Sequence, residues 1–396
     1  MEKPAIAGGT PVREQMLSYG KQFIDEQDIA AVIDTLRGDF ITQGPAINRF
    51  EQAIAEYVGA KFAVAFSNGT AALHGACFAA GIGLGDEVIT TPITFLASSN
   101  CVLYQGGTPV FADIRSDTYN LDPIRVAEKI TNRTKAIIAV DYTGQPCDID
   151  TLMKLAEKHN LIVIQDAAHS LGAEVKGRKV GAIADMTMFS FHPVKHITTG
   201  EGGMITTNNE EFYHKLLMFR SHGMTKDPDL LHHNDGPWYY EMQLLGYNYR
   251  ITDIQASLGT SQLTKLEGFL DRRRQIAAAY SKAFNGLEGV TVPYQQADHV
   301  SSWHLYILRF DLTRFQANRK QIFEALRAEN IGVHVHYIPV YKQLYYQQNG
   351  YAGTVCLESE KLYEEMITIP LFPTMTEQDV LDVIESVKKI YQYYQL

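Results

Sequence analysis

The segment from residue 162 to residue 203 contains the residue types best suited to chemistry. Asp166 directly follows a short apolar run, and Ser190, Lys195 and a pair of glycines lie on or just after the next one. A lysine amine can act as a nucleophile or as a base, and a buried carboxylate can stabilise a positive charge opposite it. The same two residue types also form structural ion pairs. Their spacing alone leaves both interpretations open.

A candidate anion site precedes this segment. Gly69 and Thr70 stand between the apolar run FAVAF and the helical pattern TAALHGACFAA. Backbone amides at a helix N-terminus lack partners and lie at the positive end of the helix dipole, so they bind phosphate groups readily. Asn68 followed by Gly69 is also an ordinary turn in any protein, and this alternative stays open.

These residues must be positioned by a chain that alternates short apolar runs with helical patterns. The runs are FAVAF, EVITT, TPVFADI, KAIIAVDY and LIVIQDAA, and helices are predicted over 26–36, 47–57 and 148–159. Such alternation predicts an α/β fold, with a mostly parallel sheet covered by helices on both faces. Ligands bind such sheets at the carboxyl ends of the strands, where the candidate residues stand.

The pattern changes after residue 250. A long helical stretch is predicted over 251–284, strands over HLYILRF and VHVHYIP, and helices over 318–329 and from Glu377 onward. A chain of 396 residues exceeds the size at which one core usually stops growing. We therefore predict a large domain over 1–250, including an N-terminal arm, and a connecting helix with a smaller α+β domain over 251–396.

Composition excludes several classes of protein. A formal net charge of -10 argues against a nucleic-acid partner. The four cysteines have no CxxC spacing, which indicates neither a zinc site nor a disulfide framework and favours a reducing cytoplasm. No run of eighteen apolar residues and no signal-peptide pattern occurs, so we expect neither export by that route nor a membrane span.

Two further patterns look like ligand-binding motifs, but their surroundings in the sequence argue against a dinucleotide site and a metal site. The glycines at 81, 83 and 85 follow a helix and precede a strand, which is the reverse of a dinucleotide-binding motif, so a nicotinamide-dependent dehydrogenase is disfavoured. His334 and His336 would share one side of a strand, yet no nearby carboxylate or cysteine completes a metal site. The tyrosines at 341, 345 and 346 could pack on a nucleotide base or on the core.

Long segments of the chain, in order, resemble the sugar aminotransferases of the DegT type, which are fold-type I pyridoxal-phosphate enzymes. The segments are IAGGTPVR, ITQGPAINRFEQAIAEYVGAKFAVAFSNGTAALH, TTPITFLASSN, QDAAHSLGA, FSFHPVKHITTGEGGMI, RSHGM and GYNYRITDIQASLG. They cover nearly the whole chain. The resemblance implies pyridoxal 5'-phosphate as cofactor, a fold-type I architecture and amino transfer to a keto sugar.

The resemblance also implies roles for individual residues. Lys195 is expected to form the Schiff base with the cofactor and then to move a proton as a base, while Asp166 keeps the pyridine nitrogen protonated. His169 is expected to hydrogen-bond the ring hydroxyl, with a core histidine as its alternative.

Further contacts with the cofactor and substrate are implied in the same way. The phosphate contacts are Gly69, Thr70 and Ser190, and Phe95 stacks on the ring unless it is a core phenylalanine. Asn248 and Arg250 reach the cofactor of a neighbouring subunit, which implies a homodimer with shared sites. His336 and Tyr341 are expected on the substrate side.

Within the family, the resemblance is closest to the aminotransferases of pseudaminic acid biosynthesis. It rests on TTPITFLA, VDYTG, FSFHPVKHITTGEGG, RSHGM and VHVHYIPVY. It implies transfer of an amino group from glutamate to C4 of a UDP-linked 4-keto-6-deoxy-N-acetylhexose. Related dehydratases carry histidine at the position of Lys195, so the lysine favours transamination. The alternatives are another nucleotide-linked 3- or 4-keto sugar, or a regulatory protein that binds the cofactor without turnover.

Overall fold

A seven-stranded sheet forms the centre of the computed structural model, which describes residues 3–396. Its strands are β1 (Phe62–Phe66), β2 (Glu87–Thr90), β3 (Thr108–Phe111), β4 (Thr134–Val140), β5 (Ile162–Asp166), β6 (Met186–Ser190) and β7 (Gly203–Thr207). Their order is β1-β7-β6-β5-β4-β2-β3, and only β7 runs antiparallel to its neighbours. The predicted α/β fold with a mostly parallel sheet is confirmed.

Helices cover both faces of this sheet. The helices of seven or more residues are α1 (Glu26–Arg37), α2 (Pro45–Val58), α3 (Gly69–Ala79), α4 (Ala97–Tyr104), α5 (Pro123–Lys129), α6 (Ile149–His159), α7 (Glu210–Phe219), α8 (Asp253–Leu263), α9 (Leu266–Phe284), α10 (Arg319–Ala328), α11 (Leu357–Glu365) and α12 (Glu377–Tyr394). Val64 and Phe66 of β1 pack with α3 and α7, whereas Ala63 and Ala65 pack with α2 and α8. Neighbouring residues of one strand thus serve opposite layers.

A second, antiparallel sheet lies in the C-terminal part. It consists of β8 (Val290–Thr291), β9 (Tyr306–Phe310) and β10 (Met366–Ile369), with β9 in the centre. Helices α9, α10 and α12 cover it and share a hydrophobic core with it. Residues 251–396 therefore contain the predicted mixture of helices and antiparallel strands.

Two predicted elements of this part differ from the structure. The stretch 251–284 is two helices, because the helical pattern is interrupted at Thr264 and Lys265. The strand predicted over VHVHYIP is wrong: only His334 pairs with a strand, through a single bridge to Thr368. The alternating valines and histidines imitate a strand, but both histidines line a cavity and the chain does not continue the ladder.

The two parts are joined by α9. Leu266 and Leu270 at its beginning pack with the core around β1 and α2, while Ile276 and Phe284 belong to the C-terminal core. The division at residue 250 stays a prediction. No helix within the described residues is long and apolar enough to cross a membrane.

Candidate active site

A cavity of about 850 Å³ opens at the carboxyl ends of the central strands. Asp166 ends β5, Ser190 ends β6, and Gly69 begins the helix that follows β1. Eight of the predicted site residues line it: Gly69, Thr70, Phe95, Asp166, His169, Ser190, Lys195 and His336. The sheet thus brings together residues that are far apart in the sequence.

Asp166 is buried and held in a fixed orientation. Its carboxylate accepts a hydrogen bond from the Ser98 hydroxyl at 2.6 Å and another from the Ala168 amide at 3.2 Å. Thr94 lies 2.7 Å from the same serine hydroxyl. Burial raises the pKa of Asp166, while these hydrogen bonds and nearby Lys195 act in the opposite direction. A positive group in the cavity would therefore be stabilised by this carboxylate.

Lys195 lies in the loop that follows β6. Burial lowers its pKa to about 8, although the Asp166 carboxylate partly opposes the shift. Within residues 3–396 no ion pair of 4 Å or less joins these two side chains. The structural ion pair left open by the sequence is therefore not formed. An amine with this pKa is available as a nucleophile and as a base near neutral pH.

His169 lies between the loop of Lys195 and the C-terminal part. Its ring is 4.3 Å from the ring of His304, and its Nε2 atom is 3.3 Å from the Tyr337 hydroxyl. Burial keeps the pKa of His169 well below its usual value, and Lys195 lowers it further, so the ring is neutral. Its Nδ1 atom is buried and has no hydrogen-bond partner in the described part of the chain. One ring nitrogen is therefore free for a ligand.

The N-terminus of α3 forms an anion cradle, which we define as the amides of Gly69 and Thr70 with the hydroxyl of Ser190. The Asn68 side chain accepts a hydrogen bond from the Ala71 amide, and the Asn68 carbonyl accepts one from the Ala72 amide. The first two amides of the helix have no acceptor in the described residues. A Cβ atom on Gly69 would lie 3.3 Å from Ser190, so glycine keeps the cradle open. The geometry suits a phosphate group.

Aromatic side chains form another part of the cavity lining. Phe95 is 59% exposed and lies 6.3 Å, ring to ring, from Tyr337. This exposure excludes the alternative of a core phenylalanine. The buried His336 ring also lines the cavity, and its Nδ1 atom is 3.0 Å from the Thr368 hydroxyl. Burial lowers the pKa of His336 to about 3, so its imidazole is neutral.

Three predicted site residues lie outside the cavity lining. Asn248 is exposed and, like Arg250, flanks the cavity residue Tyr249. The guanidinium of Arg250 has no ion-pair or hydrogen-bond partner among residues 3–396. Tyr341 is 1% exposed and donates a hydrogen bond to Glu360 at 2.7 Å. Its substrate contact stays a prediction, and this placement favours the core alternative.

Several cavity residues were not found from the sequence. Ser98 belongs to the segment TTPITFLASSN, so that segment carried a signal for a role beside Asp166. Tyr19, His304 and Tyr337 also line the cavity. No local pattern marks them, because each reaches the cavity from a segment distant from the central strands.

Fold and site together define an enzyme that uses a lysine amine, a buried carboxylate and a phosphate cradle. The chain belongs to the DegT/DnrJ/EryC1/StrS aminotransferase family, whose model matches residues 22–388. It is a sugar aminotransferase that depends on pyridoxal phosphate.

Similar proteins agree with this assignment. The spore coat polysaccharide biosynthesis protein SpsC of Bacillus subtilis is 41% identical over 96% of this chain and 98% of its own length. PseC of Helicobacter pylori, an aminotransferase involved in the biosynthesis of pseudoaminic acid, is 34% identical, with a TM-score of 0.89 over 96% of this chain and 100% of PseC. Spr1654 of Streptococcus pneumoniae, solved in its PLP form, is 32% identical, with a TM-score of 0.89 over 96% of this chain and 99% of that one. The fold-type I architecture is thereby confirmed.

The residues of the cavity fit this cofactor. The anion cradle supplies unpartnered amides for its phosphate, and the free Nδ1 atom of His169 can contact a ring substituent. Asp166 would supply the carboxylate and Lys195 the amine that such enzymes require. Each of these groups lines the same cavity.

The lowered pKa of Lys195 predicts a pH dependence. In cofactor-free protein, labelling of Lys195 by an amine-acylating reagent should rise with pH and be half complete near pH 8, because only the neutral amine reacts. Peptide mapping after brief labelling at several pH values measures this. Bound pyridoxal phosphate should protect Lys195 throughout. A midpoint above pH 10 would contradict the desolvated position of this amine.

Proposed function

We propose that this enzyme transfers the amino group of glutamate to C4 of a UDP-linked 4-keto-6-deoxy-N-acetylhexose, in a pathway of the pseudaminic acid type. The observation that carries the proposal is the cavity itself, which combines the Lys195 amine and an anion cradle with aromatic side chains and the neutral imidazole of His336. Its volume of about 850 Å³ is of the size that holds a cofactor and a sugar together. The similarity to PseC supports the choice of sugar.

Each residue of the cavity has a separate role in the proposed reaction. When bound, the cofactor supplies the carbonyl that takes up the amino group and a ring that accepts negative charge. Lys195 would hold the cofactor and, as a neutral amine, would act as the base that moves a proton. Asp166, oriented by Ser98, would keep a proton on the ring nitrogen. The anion cradle would hold the phosphate, and His169 and Phe95 would contact the ring.

The amino donor and the sugar are tested together. Purified enzyme is incubated with ¹⁵N-glutamate and a panel of UDP- and dTDP-linked 3-keto and 4-keto sugars, and the products are identified by mass spectrometry. We expect the label at C4 of the UDP-linked N-acetyl sugar. Preferred amination of another keto sugar would replace the proposed substrate. Cofactor binding without any half-reaction with glutamate would favour the regulatory alternative.

The site is proposed to be shared between two subunits. Within residues 3–396, Lys195 is the only lysine or arginine on the cavity lining, which leaves little charge for a diphosphate. Asn248 and Arg250 lie beside the cavity. The Arg250 guanidinium has no ion-pair or hydrogen-bond partner within the described residues. A homodimer that places these two residues at the neighbour's phosphate would complete the site.

Complementation tests this arrangement. Chains carrying Lys195→Ala and chains carrying Arg250→Ala are each expected to be inactive, and mixed dimers should regain up to about half of wild-type activity, because one of the two shared sites then has both residues. Hybrid dimers isolated with two affinity tags give the measurement. Dimers in which both chains carry Lys195→Ala, isolated with the same two tags, serve as the control. Verified hybrids without activity would contradict a shared site.

A further inference from the structure

The N-terminal arm lies against the C-terminal sheet and its helices. The Leu17 amide donates to the Asn330 carbonyl at 2.9 Å, and the Leu17 carbonyl accepts from Gly332 at 2.7 Å. The carbonyl of Tyr19 accepts a hydrogen bond from Leu371 at 3.1 Å. A Cβ atom on Gly332 would lie 2.4 Å from the Leu17 carbonyl oxygen, so the arm can approach only a glycine here. The arm is therefore held by backbone hydrogen bonds at both Leu17 and Tyr19.

A buried carboxylate fastens the beginning of the arm. Glu329 accepts hydrogen bonds from the amides of Ala5 and Val12, both at 2.8 Å. Its other partner is Lys389, whose ammonium lies 3.1 Å away, and both side chains of this ion pair are buried. Removing one partner of such a pair leaves an uncompensated charge, so the contact is strongly maintained. The arm is thus held firmly against residues of the C-terminal part.

The arm delivers the ring of Tyr19 to the active-site cavity. Its centroid lies 5.4 Å from that of His334 and 5.3 Å from that of His336. The two imidazoles stack at 4.4 Å, and all three rings line the cavity. Within residues 3–396 the Tyr19 hydroxyl has no hydrogen-bond partner. Burial raises the pKa of Tyr19, so this hydroxyl keeps its proton and can both donate and accept.

This aromatic wall, formed by Tyr19, His334 and His336, suits a neutral ligand. The phosphate-binding groups of the cavity lie instead at the anion cradle of α3, and no guanidinium of the described residues lines the cavity. An aromatic face with polar tips matches the C–H face and the hydroxyl groups of a hexose ring. A diphosphate would find no cationic partner on the Tyr19 ring.

We propose that Tyr19 is a specificity-determining residue that contacts the hexose ring of the substrate, and that the N-terminal arm therefore contributes to sugar selection. The proposal rests on the proposed function and deepens it. It assigns the sugar, rather than the nucleotide, to the aromatic wall.

Kinetics of the two half-reactions test this assignment. Tyr19→Ala and Tyr19→Phe are compared with wild type, using glutamate for one half-reaction and a UDP-linked 4-keto-6-deoxy-N-acetylhexose for the other. For Tyr19→Ala we expect the ratio of sugar KM to glutamate KM to rise about tenfold, since a stacked contact and a hydrogen bond are both lost. Tyr19→Phe should show a smaller rise, because the ring remains. Affinity for UDP alone should change far less than the sugar KM.

A control variant and two kinds of contrary result separate failure of the Tyr19 proposal from failure of the proposed function. Tyr294→Ala removes a 50% exposed tyrosine outside the cavity lining and should leave the ratio unchanged. An unchanged ratio in Tyr19→Ala overturns the proposal, as does an equal loss of affinity for UDP, which would place the nucleotide on this wall. A wild-type enzyme that reacts with glutamate but aminates no keto sugar contradicts the proposed function instead.

Discussion

Lys195→Ala is expected to bind the cofactor without a covalent bond and to lose amino transfer, with the glutamate half-reaction slowed by about 10³-fold or more. The variant removes both the amine that holds the cofactor and the base that moves the proton, and general bases alone contribute factors of about 10² to 10⁴. The cavity gives this amine a pKa of about 8, which suits the task. Single-turnover absorbance measurements with glutamate follow this half-reaction directly.

Chemical trapping identifies the lysine independently. Borohydride reduction of the wild-type holoenzyme, followed by peptide mapping, should place the cofactor on Lys195. Lys320→Ala, which removes an 81% exposed lysine, serves as the matched control and should keep wild-type rates. A label on any other lysine, or an active Lys195→Ala variant, would refute the central assignment.

The central strands could be predicted because they are buried on both faces. Such strands appear as continuous apolar runs, and FAVAF was predicted with the bounds that β1 has in the structure. Helix ends were predictable where a capping residue marks them: Asp25 caps α1 and Asp148 caps α6. Candidate residues then followed from the rule that strands of a parallel sheet end at one edge.

Other parts depended on contacts that no local pattern encodes. The alternation of VHVHYIP imitates a strand, yet the structure uses His334 and His336 as cavity wall. Ser98 faces Asp166 only because α4 packs near the end of β5. Tyr19 reaches the cavity because the N-terminal arm is bound by Glu329, which lies more than 300 residues further along the chain. These contacts arise from tertiary packing. The placement of Asn248 and Arg250 depends on a second subunit and stays a prediction.

Asp166→Asn is expected to bind the cofactor but to react slowly, with the glutamate half-reaction reduced by about 10²-fold. Asparagine keeps the shape of the side chain, and the anion cradle that would hold the phosphate is untouched. The lost negative charge no longer keeps a proton on the ring nitrogen, so the ring is a poorer acceptor of negative charge. That acceptance matters most in the transition state, and the loss should therefore appear in the rate of chemistry rather than in binding.

A second variant, Asp141→Asn, separates the proposed role of Asp166 on the ring nitrogen from a structural role. Asp141 is a second buried carboxylate, at the end of β4, that accepts hydrogen bonds from Ser170 and Gln165 and does not line the cavity. Asp141→Asn should change thermal stability more than the rate of the glutamate half-reaction, because its partners are structural. Asp166→Asn should change the rate of the glutamate half-reaction more than the thermal stability. If Asp166→Asn holds the cofactor and reacts at the wild-type rate, the carboxylate does not act on the ring nitrogen, and the hydrogen bond from Ser98 serves only to satisfy a buried charge.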